Sequence, residues 1–330
     1  MVLVTESQLD LPVDPEKALK EAREAVQIAD QLAQSIPEDK LVASEAYRAL
    51  AEAEEIAGDY GNADKNMERS VAQIRELIST IPAQRVLLTV RLTDQIDFKF
   101  RLQDFGASGS LASEAVLLDR ELDQTIPFLK MFYIQHLLDL SKSYQSQGRW
   151  DLSEEPLKQA EVEVKALAQR DRQFYGIEAE VLSTSALTEY AENRAVTGRA
   201  AFDDALAIVK NIAQTDPVAA RKPIISALHM VCAGVHGDQD TLRLCDSGID
   251  VWRRLIKNET DQMELSALLC ESAVLYLDLG DLGSARTRFE EAASTRERIA
   301  NLNKTYLADQ AEVNGDLGRT LFSDRGDGRC

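Results

Sequence analysis

Apolar residues recur at helical spacing along nearly the whole chain, and no stretch alternates apolar and polar at period two for long. Ala18, Ala25, Ile28, Ala29 and Leu32 form one stripe that ends at Ser35. Residues three and four apart share a helix face, so the stripe predicts an amphipathic helix. Asp14-Pro15 ahead of it reads as an N-cap followed by proline in the first turn. A second helix is expected over 41–57, with Tyr47, Leu50 and Ala51 turned inward. A third runs from Tyr60 through Ala63, Met67, Ser70, Ile74 and Leu77 to Thr80. Between these two, Gly58 suits the left-handed residue that ends a helix, and Asp59 suits the cap that begins the next.

This pattern then returns at a fixed period. Ser35-Ile36-Pro37, Thr80-Ile81-Pro82 and Thr125-Ile126-Pro127 stand 45 residues apart. Proline has no amide hydrogen and pushes the preceding residue out of the α region, so each tripeptide closes one helix and opens another. Gly58-Asp59-Tyr60 becomes Gln103-Asp104-Phe105, then Gly148-Arg149-Trp150, then Asn193-Arg194-Ala195 at the same step. Asparagine tolerates the left-handed conformation, so Asn193 fits where Gly148 stood. Ala25, Ser70, Ala115, Ala160 and Ala205 form a column of small residues where helices must approach closely. Met67, Ala112, Leu157 and Phe202 form one core column, and Tyr47, Leu92, Leu137 and Leu182 another. Tyr60, Phe105 and Trp150 form an aromatic column that reads as inter-helix packing. Later units slip at the inner turn, with Gly237-Asp238 one residue early and Gly280-Asp281 three early, while Thr260 and Thr305 keep the outer boundary.

A period of this size signals a repeat architecture in which each unit buries its apolar face on its neighbours. The expected fold is all-α, six antiparallel helix pairs with an extra helix at each end and negligible strand. Residues 1–12 read as a tail, 13–323 as the repeat array, and 324–330 as a tail or truncated repeat. The last helix, through Val313, Leu317, Leu321 and Phe322, has no following partner, which predicts self-association through it or a continuation beyond it.

The internal pattern resembles the tetratricopeptide repeat. It reads Tyr47-x2-Leu50-Ala51 with Gly58, Ala63 and Ser70, and Leu137-x2-Leu140-Ser141-x2-Tyr144 with Gly148, Ser153, Leu157 and Ala160. The fullest match is Leu269-x2-Ser272-Ala273-x2-Tyr276 with Gly280, Ala285, Phe289 and Ala292. The period is longer than the usual ~34 residues of that family, which is similar to the repeats of kinesin light chains and of bacterial signalling arrays. The resemblance implies a right-handed α-solenoid whose concave face, lined by the first helix of each pair, binds a protein or peptide. Carried over by frame, that face comprises Arg48, Glu52, Glu55, Asp97 and Lys142 in the early repeats, and Leu187, Tyr190, Val231, Val274 and Leu277 in the later ones. It implies a ligand with basic residues at one end and apolar anchors at the other. A second implied role is the regulatory or sensor region of a larger signalling protein with a kinase or ATPase.

Composition narrows the field further. A net charge of −19 disfavours duplex nucleic acid, which needs clustered Lys and Arg. No apolar run is long enough to span a bilayer. The four cysteines show no framework-like spacing, so no disulfide scaffold is implied and a reducing cytoplasm is the simplest setting. His229, Cys232, His236 and Cys245 could be arranged around zinc, but His229 and Cys245 fall in core columns and read as packing. Gly106–Ser110 is a loop-like small-residue run with no lysine after it and no strand before it, so it carries no phosphate site. Carboxylate pairs such as Glu154-Glu155 and Glu290-Glu291 read as solvated helix faces. Neither a cofactor nor a catalytic constellation is expected.

Overall fold

A computed structural model of the protein describes residues 14–34, 36–122, 126–215, 225, 228, 232 and 239–302. Among these are twelve α-helices, three short 3-10 turns and no strand. The helices are α1 (Pro15–Ala33), α2 (Lys40–Ile56), α3 (Tyr60–Thr80), α4 (Arg85–Arg101), α5 (Phe105–Arg120) and α6 (Pro127–Ser146). They continue as α7 (Trp150–Ala168), α8 (Tyr175–Ala191), α9 (Ala195–Thr215), α10 (Gln239–Leu255), α11 (Glu259–Asp278) and α12 (Leu282–Leu302). The chain divides into two compact units, 1–160 and 161–330.

The 45-residue period is written into the backbone. Second helices begin at 60, 105, 150 and 195, and the 3-10 turns begin at 37, 82 and 172. At each inner turn one residue takes positive φ: Gly58 (79°), Gln103 (58°), Gly148 (72°), Asn193 (61°) and, in the last pair, Gly280 (78°). The following N–H reaches back to a carbonyl five residues earlier, from Asp59 to Glu54, Asp104 to Lys99, Arg149 to Tyr144, Arg194 to Glu189 and Asp281 to Tyr276, at 2.8–3.0 Å. This is the Schellman closure, which satisfies carbonyls that the helix end leaves open. Asp59, Asp104 and Asp281 then cap the next helix through their side chains, accepting from Asn62, Ala107 and Ser284. One residue thus ends a helix with its amide and starts another with its carboxylate. Asp14 caps α1 in the same way, accepting from Lys17 at 3.1 Å.

In unit 1, α1 packs on α2, α2 on α3, and each later helix on its predecessor through α6, with α4 and α6 also touching. In unit 2, α8 pairs with α9 and α11 with α12. The small column is buried, from Ala25 (6 % exposed) to Ser70, Ala115, Ala160 and Ala205, which have no exposed surface. Both core columns are buried too, and each large member contributes about 1.5–3 kcal/mol by leaving water. The polar member Ser70 is satisfied by the Ser44 hydroxyl at 3.0 Å and the Ser44 carbonyl at 2.8 Å.

Several expectations need correction. Ile28 and Leu32 are 48 % and 45 % exposed, because the buried stripe of α1 follows Ala18, Ala22, Ala25 and Ala29. Tyr60 is 54 % exposed, while Phe105 packs edge-on against Phe100 at 5.0 Å. The Gly106–Ser110 run is not a loop but the start of α5, where a Cβ on Gly109 would lie 3.2 Å from that of Ser143. The outer boundary expected at Thr260 falls slightly earlier, at 256–258: Asn258 caps α11 through a reciprocal box with Asp261, which puts Thr260 inside the helix. Cys232 and Cys245 are joined in a disulfide, with Cα atoms 5.2 Å apart. Their separation of 13 residues along the chain hid that the two side chains meet, a proximity that also puts Leu228 against Gly248. The cysteine argument for a reducing setting therefore loses its premise. The tails, the final helix beyond Thr305, the Gly237-Asp238 turn, His229, His236, Thr125 and Val231 lie outside the described residues.

Candidate functional site

Charge on the first helices of unit 1 is organised into a lattice. Arg48 on α2 donates to Glu45 and to Glu52, one turn before and one turn after it, and lies 3.9 Å from Asp94 on α4. Arg91 on α4 donates to Asp94 and reaches back to Glu45. Arg101 grips Glu55 with two bonds of 2.8 and 2.9 Å. Paired hydrogen bonds of this kind fix both partners in one geometry. Burial pushes the Asp94 carboxyl above its usual range, and Arg91 and Arg48 pull it back. Of the five polar residues expected from the sequence, Arg48 and Glu52 thus share one network, and Glu55 is held beside it by Arg101, on which Glu52 also acts. The other two, Asp97 on α4 and Lys142 on α6, both act on Asp139.

Asp139 is a site residue that sequence reasoning missed. It is 7 % exposed and sits on α6 one 45-residue step after Asp94. Gln135 donates to Oδ1 at 2.9 Å, while Oδ2 is buried without a hydrogen-bond partner. Burial, with a smaller push from Asp97, raises this carboxyl to about 6 against the pull of Lys142 and His136. The signal was present in the repeat frame. Asp94 has two arginines, and the residues that replace them one step on are Thr93 for Arg48 and His136 for Arg91.

Those two replacements form a different structure. Asp119 on α5 accepts from His136 Nδ1 at 2.7 Å and from the Thr89 hydroxyl at 3.0 Å, and His136 Nε2 lies 2.9 Å from Thr93 Oγ1. The connectivity of Thr93, His136 and Asp119 is that of a nucleophile–base–acid relay. However, His136 and Asp119 have no exposed surface, so no substrate can reach the ring. The chain of bonds is a buried pin that ties α4, α5 and α6 together.

Unit 2 carries the apolar residues expected from the sequence. Leu187 and Tyr190 lie on α8, both half-buried. The Tyr190 ring lies against Gly198 on α9, where an added Cβ would come within 3.0 Å of it. Val274 on α11 is 48 % exposed and Leu277 is half-buried. Among the described residues no helix is long and apolar enough to cross a membrane.

No protein-family model and no curated protein matches the chain. Solved structures do. BtubC (BKLC) from P. vanneervenii aligns with a TM-score of 0.51 at 17% identity, over 72% of this chain and 90% of its own. The Rap conjugation gene regulator of the plasmid pLS20, solved in complex with the Phr* peptide, aligns with a TM-score of 0.50 at 11% identity, over 98% of this chain and 94% of its own. At such identities the likeness is one of fold, and the paired helices, left-handed inner turns and buried small column give that fold its type: an all-α helical repeat of the tetratricopeptide kind.

Proposed function

We propose that this protein is a non-enzymatic scaffold that binds a peptide or protein segment on the face formed by the first helices of its repeats. The observation that carries this reading is the charge lattice of unit 1. Glu45, Glu52, Glu55, Asp94, Asp97 and Asp139 there outnumber Arg48, Arg91, Arg101 and Lys142. A face that is acidic on balance, with its side chains already held in place, favours a basic segment and loses little entropy in receiving it. In unit 2, Leu187, Tyr190, Val274 and Leu277 would serve as apolar contacts, where most affinity resides. The pLS20 regulator, solved with a bound peptide, supports the reading at the level of fold.

Panning a random peptide library on the full chain tests it. Selected peptides should be enriched in Arg and Lys. Glu52→Lys should weaken their binding mainly at low salt, and Tyr190→Ala or Leu277→Asp should remove it with helicity unchanged. A selection without basic residues, or binding that survives all three substitutions, would overturn the proposal.

A further inference from the structure

We infer that Asp139 is the anchor point for one cationic side chain of the bound segment, a guanidinium in particular. The inference rests on the scaffold reading above and names the chemistry of one contact within it. Its basis is a comparison inside the molecule. At Asp94 the repeat supplies its own cations, Arg91 from the same helix and Arg48 from the preceding first helix. At Asp139 the frame keeps the carboxylate and removes both arginines, because Thr93 and His136 now stand in their places. Both ring nitrogens of His136 are engaged, by Asp119 and Thr93. The carboxylate therefore has one neutral donor, Gln135, and an oxygen with no partner.

A buried acceptor without a donor is costly, and a buried carboxylate more so. An incoming guanidinium offers a fork of N–H donors matched to a carboxylate. Gln135 and Lys142, about one turn before and after Asp139 on the same face, are only half-buried, so the approach to the carboxylate passes between two side chains that themselves reach solvent. Asp97, exposed on α4, adds a second negative charge that acts on Asp139. The charged groups that bear on Asp139 are Lys142 and His136 from α6 and Asp97 from α4, with Asp119 of α5 acting through the His136 ring. Burial raises its affinity for a proton, to about 6, and the pull of Lys142 and His136 does not offset that burial.

The test is carboxyl NMR on the full chain labelled at aspartate Cγ, with Nα-acetyl-arginine methylamide as probe and the citrulline analogue as its neutral control. The Asp139 signal, assigned by its loss in Asp139→Asn, should titrate near pH 6. Saturating arginine probe should lower that midpoint by about one unit, a tenfold preference for the ionised form. The citrulline analogue should leave it in place. An Asp139 signal that does not move, or moves equally with both compounds, would overturn the assignment. The panned peptides separate this inference from its parent. If they bind the wild type and Asp139→Asn equally, the anchor is wrong and the scaffold reading stands. If no peptide is selected while the Asp139 signal responds to arginine, the anchor stands and the scaffold reading falls.

Discussion

Replacing Asp139 by asparagine should stabilise this protein at neutral pH, the reverse of what removing a buried charge at a structural ion pair would do. The carboxyl rises from an ordinary 3.8 to about 6 in the folded chain. The folded state then holds its proton more tightly than the unfolded state, so stability falls as pH rises through the window from about 4 to 6. Above that window the penalty is constant. Two pKa units at 1.36 kcal/mol each make it about 3 kcal/mol. Asparagine keeps an oxygen for the Gln135 amide and discards the charge, so it should recover about 2–3 kcal/mol at pH 8 and only about 1 kcal/mol at pH 4.5. The two tryptophans fall one in each unit, Trp150 on α7 and Trp252 on α10, so Trp150 reports on unit 1 in a Trp252→Phe background. Urea unfolding of both chains, followed by Trp150 fluorescence across that pH range, reads the difference. A stability difference that is flat with pH, or an Asp139→Asn chain that is weaker at pH 8 than its parent, would refute the reasoning.

Three further outcomes follow from the packing and the turns. Ala160 has no exposed surface, so Ala160→Arg should cost several kcal/mol, about 3 or more, and lower the melting temperature. Gln103 occupies the left-handed position that glycine fills at 58, 148 and 280, so Gln103→Gly should stabilise by about 1 kcal/mol and Gly148→Ala should cost a similar amount, both read by thermal melts. Asp119→Ala leaves His136 and Thr89 without their buried acceptor and should cost about 3–5 kcal/mol, whereas Asp94→Ala, in a half-exposed lattice, should cost clearly less.

Much of this architecture was legible because its signals are local. The Gly-Asp and Asn-Arg turns, the serine/threonine-isoleucine-proline boundaries and the small column each act within a few residues, and their spacing carried the frame through five units. Gln103 shows the strength of that frame: a residue with no turn preference adopts positive φ because the helices on both sides require it. The 3-10 turn at Arg172–Phe174 persists without proline because the Asp171 side chain caps Gln173 instead. What the sequence hid depends on the third dimension. Ile28 and Leu32 look like core by period, yet only a helix packed on their side could bury them. The Cys232–Cys245 bond joins two residues whose separation along the chain gives no hint of contact. Asp139 looked like any polar residue on a polar face. The loss of both arginines that its counterpart keeps is written in the 45-residue frame, but that those arginines are the partners of Asp94 emerges only from the structure.

The most direct test of the account places a photo-crosslinking residue, p-benzoylphenylalanine, at one position at a time in the full chain and irradiates it with a basic peptide selected by panning. Positions 52 and 97, on the first helices α2 and α4, should capture the peptide, and an excess of unlabelled peptide should suppress the capture. Positions 72 and 117, exposed on the second helices α3 and α5, should capture none. Capture at 72 and 117 with none at 52 and 97 would place the binding surface on the opposite face and contradict the account.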